Sequence, residues 1–215
     1  MPRKTEHLPR LQRRPKYIKH KRVSGYRVEI REDCKCRCVY CDIHDQEAGG
    51  MEFMTIDHFR PISLYDDLEF CPMNFVWACG PCNQSKGDDW PAYGLPDNAT
   101  VDGKAGYLDP FKVDRKDYFD VASDGRFIAL KPPAKYMIDT LELNRPLLRT
   151  IRRRREVVPD SLLALREYFS GEIRLYDEAI AKEDISDHDK IDWFRDRERL
   201  KELLAIVIAL DEVLS

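Results

Sequence analysis

Apolar and polar positions change rhythm along this chain. From about Tyr136 onward, apolar residues recur every three or four positions, the period of a helix with one buried face. Ile191, Trp193, Phe194, Leu200, Leu203, Leu204, Val207 and Leu210 predict one long amphipathic helix whose stripe reads as core. Ser186 and Asp189 open it as a capping box. Upstream, Asn144 reads as the cap of a helix with Pro146 in its first turn. Pro159 is expected to end that helix, and Asp160 to cap the next run, SLLALREYF. Between Trp90 and Lys135, Gly, Pro and Asp recur in PAYGLPDN, VDGKAG and SDGR, which is turn chemistry between short extended pieces. Asp124-Gly125 is the best hairpin turn there. Residues 55–61, TIDHFRP, read as a half-buried strand with Asp57 and His58 side by side, and Asn74 stands just before an apolar strand.

These patterns divide the chain into a basic arm (1–24), a cysteine-bearing stretch (25–90), a turn-rich extension (91–135) and a helical region (136–215). Charge then changes the picture at one end. The formal net charge of −3 is near balance, yet residues 1–22 hold nine Lys/Arg against the single acid Glu6. With Tyr17 and His20 interleaved, that arm is expected to contact phosphate. The run Arg152–Arg155 fits a solvated face as well as a second contact. No apolar run approaches the eighteen or so residues of a membrane span, and MPRKTEHLPR lacks the apolar core of a signal peptide. A soluble, cytoplasmic protein is expected, in which the Asn98-Ala-Thr100 acceptor pattern means nothing and His7, His20 and His188 carry no function.

In a reducing compartment, seven cysteines point to metal before disulfides. Cys38-Val-Tyr-Cys41 and Cys79-Gly-Pro-Cys82 are two CxxC knuckles separated by 37 residues. Each turns two thiolates inward, and together they make a tetrahedral four-thiolate site suited to structural zinc, with no open position for chemistry. Cys34, Cys36 and His44 stand close enough to keep the ligand choice from being closed, although CxC spacing rarely serves one ion. Cys71 reads as a buried free thiol.

What lies between the knuckles is specific. CxYC, then Asp57-His58 with Pro61 nearby, then Asn74, then CxxCNxxKG over residues 38–87 resembles the HNH endonuclease family, in its HNN variant. The resemblance implies an α+β fold: a ββα-metal core braced by the four-cysteine zinc site, followed by a predominantly α-helical C-terminal region. It implies His58 as the general base, Asp57 and Asn83 as ligands of a catalytic Mg²⁺ (Mn²⁺ possible), Asn74 as a loop brace and Lys86 beside the scissile phosphate. The chemistry agrees: phosphodiester hydrolysis needs a base near neutral pKa and a hard cation on the developing charge, and a carboxylate with an amide oxygen suits Mg²⁺. One tension stands. Neighbours in a regular strand face opposite ways, so Asp57 and His58 need a bend or a strand end to serve one phosphate.

TIDHFRP, LDPF at 108–111, DGR at 124–126 and LELNRPLLRTIRRRREV at 141–157 further resemble the HNH proteins of Septu-type and retron anti-phage systems. That resemblance implies nucleic acid, DNA before RNA, as substrate and an ABC-type ATPase as partner, since no Walker-type Gly-x-x-x-x-Gly-Lys occurs here. The competing readings are a non-catalytic zinc-knuckle binding module and an interaction protein built around the C-terminal helices.

Overall fold

Half-buried MTIDH and the unbroken apolar run FVWAC make the central hairpin. The computed structural model describes residues 8, 10–96, 98–182 and 186–214; His7 lies outside them. Helix α1 (Arg27–Asp33) precedes strand β1 (Met54–His58), which pairs antiparallel with β2 (Phe75–Cys79) from Met54↔Cys79 to His58↔Phe75. Every residue of β2 is buried, because α1 and the following α2 (Gly80–Lys86) both pack on this hairpin. Pro81 sits in the first turn of α2, where a missing N–H costs nothing. Gly87 ends the helix at φ +48°, a conformation side chains resist. Strand, strand and helix are thus the ββα unit expected from the sequence.

Two small hairpins follow, β3 (Val101–Asp102) with β4 (Ala105–Gly106), and β5 (Phe119–Val121) with β6 (Phe127–Ala129). The second turns at Asp124-Gly125 as predicted, with Gly125 at φ +80°. Helix α3 (Ala134–Thr140) and Leu141, Leu143, Leu148 and Ile151 behind it join the same apolar core as Trp77 and Phe75. Helix α4 spans Pro146–Ile180 and α5 spans Asp187–Leu214.

The chain forms two compact units, residues 1–152 and 153–215. Within the second, Leu162 and Val207 are the buried apolar side chains among the described residues, and Arg197 bridges to Asp177 at 2.8 Å. No helix among the described residues is long and apolar enough to cross a membrane.

Four expectations change. Helix α4 runs through Pro159; one lost backbone donor is absorbed in a helix of 35 residues, and Asp160 lies inside it and caps nothing. Asn144 does not cap α4. Its Oδ1 accepts from Phe127 N–H at 2.8 Å and its Nδ2 donates to the Phe127 carbonyl at 3.1 Å, so it staples β6. The α5 stripe is core only in part: Val207 is buried and Trp193, Leu200 and Leu204 are half-buried, but Ile191, Phe194, Leu203 and Leu210 are exposed, while Ser186 and Asp189 do form the capping box. Among the described residues of the arm, Arg13 and Arg14 are spent internally. Arg14 pairs with Asp33 at 2.9 Å and Glu32 at 3.0 Å, Arg13 donates to the carbonyls of Pro72 and Phe75, and Leu11 is buried. Lys16, Lys19 and Lys21 remain exposed.

Candidate active site and metal centre

The two knuckles bring Cys38, Cys41, Cys79 and Cys82 together in the core, with all four sulfurs within 4.8 Å of one another. Cys41 Sγ and Cys79 Sγ lie 3.7 Å apart. Zinc bound to sulfur at about 2.3 Å in a tetrahedron separates its ligands by roughly 3.8 Å, so the pocket fits that ion. Burial pushes the Cys38 and Cys41 thiols well up, while hydrogen bonds from its three neighbours pull Cys79 down to a thiolate. Among the described residues this is the one cluster of His, Cys, Asp or Glu with metal-ligand spacing. His44 instead faces Asp45, and Cys34 accepts the Trp77 N–H at 3.4 Å. Cys71 is half-buried, less enclosed than expected.

Two arginines from outside the knuckles attend this cluster. Arg145 Nη2 donates to both Cys79 Sγ and Cys82 Sγ at 3.4 Å. Burial works against its charge, but the neighbouring sulfurs of Cys82, Cys41 and Cys79 outweigh burial and raise the guanidinium above its ordinary value. A four-thiolate zinc site carries a net charge of −2, and Arg145 offsets half of it. Arg115, fully buried, donates to the Val39 carbonyl inside the first knuckle and faces Asp42 at 3.9 Å. Neither was legible in the sequence; an arginine that attends a metal from 60 residues away leaves no local pattern.

The first knuckle also reaches the candidate active site. Tyr40, the third residue of CVYC, donates its hydroxyl to Asp57 Oδ2 at 2.5 Å. Asp57 Oδ1 faces Lys86 Nζ at 3.4 Å, and the same ammonium donates to the His58 carbonyl at 3.0 Å. Lys86 is 2% exposed, so it is neither a solvated lysine nor open to solvent. Burial raises the Asp57 carboxyl above the usual carboxylate range, and Lys86 and Tyr40 pull it back. A lone buried carboxylate would cost several kcal/mol; the pair makes it tolerable.

His58 ends β1 and lies on the other side of the strand. Its Nε2 is 2.9 Å from the Glu69 carbonyl oxygen, and its ring packs edge-on against Phe75 at 5.1 Å. A carbonyl only accepts, so Nε2 carries the proton and Nδ1 keeps its lone pair. Asn74 closes the loop between them. Its Oδ1 accepts from Arg60 N–H at 2.9 Å, its Nδ2 donates to the Arg60 carbonyl at 3.0 Å, and its own carbonyl accepts from Phe59 N–H at 2.8 Å. Of the bend or strand end expected here, the structure has the end: pairing is regular through His58↔Phe75, and the strand stops after it.

Asn83 is half-buried on α2, one turn before Lys86 and so on the same helix face. Asp57 and Asn83 supply the hard oxygens a Mg²⁺ ion takes. Both Asp57 oxygens already accept a donor, but a carboxylate has about four lone-pair sites and the Lys86 contact is long. A divalent cation taken by the Asp57 carboxylate would compete with the Lys86 ammonium. Tyr40 and the burial of Lys86 were missed in the sequence, although a tyrosine fixed inside a knuckle two residues from Cys38 was a signal.

Residues 38–89 match the HNH endonuclease family. No curated protein matches the chain.

Proposed function

We propose that this protein is a metal-dependent HNH endonuclease that hydrolyses phosphodiester bonds of nucleic acid, DNA in preference to RNA. The observation that carries the reading is the His58 imidazole, held by its Nε2–H on the Glu69 carbonyl with Nδ1 free to take a proton from water. Asn74 stitches the loop that presents Glu69, so it fixes the tautomer and direction of the base without touching the reacting atoms. Asp57 and Asn83 would hold Mg²⁺, or Mn²⁺, with Lys86 beside them. The ion, when bound, supplies charge stabilisation for the phosphorane-like transition state. The phosphate sits off the end of β1, where side chains from both faces of the strand are within reach. The four-cysteine zinc holds the scaffold.

Incubating supercoiled plasmid with Mg²⁺ tests this. His58→Ala is expected to cut about 10²- to 10⁴-fold more slowly than the wild type, with zinc content unchanged. Equal rates would remove His58 from the chemistry. A non-catalytic knuckle module predicts no cutting by either protein.

The finer reading is that the enzyme works in the cytoplasm as the effector nuclease of an anti-phage system, beside an ABC-type ATPase. The Septu-like LDPF, DGR and LNRP segments support it, as do the exposed apolar residues Leu203, Ile206 and Leu210, which a partner would cover. Cutting that appears only when the ATPase is co-purified would sustain it.

A further inference from the structure

Beside the candidate site runs an open groove of about 1020 Å³, lined in part by Phe59, Arg60 and Asn74, the residues that follow and brace His58. Its volume lies at the top of the ~300–1,000 Å³ range of small-molecule sites. Arg60 stands out among its lining residues. Its backbone N–H and carbonyl are both taken by Asn74, so its position is fixed. Its guanidinium has no hydrogen bond or ion pair among the described residues and rests only on the Tyr65 ring, 5.2 Å from the centroid. Arg10 and Lys112 also line the groove and are exposed, Arg10 with its Nε donating to the Phe111 carbonyl at 2.9 Å and Lys112 with a long 3.7 Å contact to Asp109. Asp67 and Asp109 are the opposing charges, Asp109 with one oxygen on the Phe111 N–H and the other facing Lys112. Arg13 is spent on backbone carbonyls and on the Phe111 ring at 3.8 Å.

Cations interleaved with half-buried rings (Tyr65 and Phe111) and an exposed thioether (Met73) suit an unpaired strand, because its phosphates want charge and its bases want apolar surface. A duplex hides those base faces. We propose that this groove takes an unpaired stretch of the nucleic-acid substrate next to the scissile phosphate, with Arg60 as its fixed phosphate contact. The assignment rests on the nuclease reading for which phosphate is cut. It adds that the strand entering the site is single.

Fluorescence anisotropy with a labelled single-stranded oligonucleotide tests it, in a His58→Ala background without added divalent metal. Arg60→Ala is expected to weaken binding several-fold and to lower the slope of log affinity against log salt by about 0.7, the value for one single-strand phosphate contact. Arg60→Lys should keep the slope. Asp67→Asn should tighten binding. Lys135→Ala, whose side chain is paired with Asp139 outside the groove, is the control and should change nothing. The proposal is overturned if Arg60→Ala behaves like the control with zinc content and melting temperature intact. It is equally overturned if a duplex of the same sequence binds with the same affinity and the same loss, or if polyglutamate displaces the oligonucleotide through Arg60, which would make the groove a protein site. If neither protein cuts the plasmid, the nuclease reading fails while the anisotropy still decides what the groove binds.

Discussion

The two units of this protein use the same residue types in opposite ways. In residues 1–152, charges are taken inside and matched: Asp57 with Lys86, Asp33 with Arg14, Asp45 with Arg31, Arg115 with Asp42. In residues 153–215, charges stay outside as helix-surface pairs such as Lys201–Glu198 and Arg195–Asp192, while large apolar side chains are left at the surface. Surface pairs contribute between zero and about 1 kcal/mol each, whereas breaking a buried pair costs about 3–5 kcal/mol. The first unit therefore carries its own reasons to fold, with a four-cysteine cluster suited to zinc at its centre. The second spends little of its apolar surface on itself.

That contrast can be broken most forcefully at the zinc site. Cys79→Ser, or stripping with a chelator, removes a centre that contributes on the order of 10 kcal/mol in small zinc folds. Proteolysis should then cut freely between Arg27 and Arg152, while the helical far-ultraviolet signal of α5 persists. Simultaneous loss of both would show that the units share their stability. A smaller effect separates the two apolar populations directly. Leu143→Ala, fully buried, should cost about 2–5 kcal/mol in urea unfolding. Ile206→Ser, 56% exposed, should stay within about 0.5 kcal/mol. Comparable losses would mean that α5 is covered in solution.

The smallest effect concerns the arm. Burial, helped by Asp33, pushes the Tyr17 hydroxyl up to about 12 from its ordinary 10. A raised folded-state value means that this stabilisation is whole below pH 10 and is lost as pH rises towards 12. The wild type should therefore lose more stability than Tyr17→Phe between those limits, by melting temperature. Parallel curves would show that the arm docks without the Tyr17–Asp33 bond.

Much of the first unit was legible because its chemistry is local. A CxxC knuckle, an Asp-His pair at a strand end and an Asn before an apolar strand are each set by a few adjacent residues. The ββα order and the Asp124-Gly125 turn followed from the same short-range rules. What escaped was long-range. Lys86 looks solvent-seeking by type, yet α2 carries it into the core because Asp57 and the His58 carbonyl need a cation there. Arg145 reaches the Cys79 and Cys82 sulfurs, and Arg115 the Val39 carbonyl, each across more than 60 residues, and Asn144 is a better staple for Phe127 than a cap for α4. In the helical unit, periodicity named the helices but not their fate. A stripe at helical spacing looks the same whether it is buried or bare, and Pro159 punctuates only where the flanking helix is too short to carry one missing bond.

The Asn74 staple has a consequence for how such a protein changes over generations. By bonding both backbone groups of Arg60, Asn74 shuts residues 61–73 into a closed loop whose feet are fixed. Lengthening a closed loop is cheap, about 0.6 kcal/mol for each doubling. The exposed stretch at Ile62 and Ser63 can therefore take inserted residues while β1, β2 and the groove wall stay where they are, provided Glu69 still reaches His58. The loop is a cassette, one in which target preference is free to drift while the hydrolytic apparatus is inherited intact.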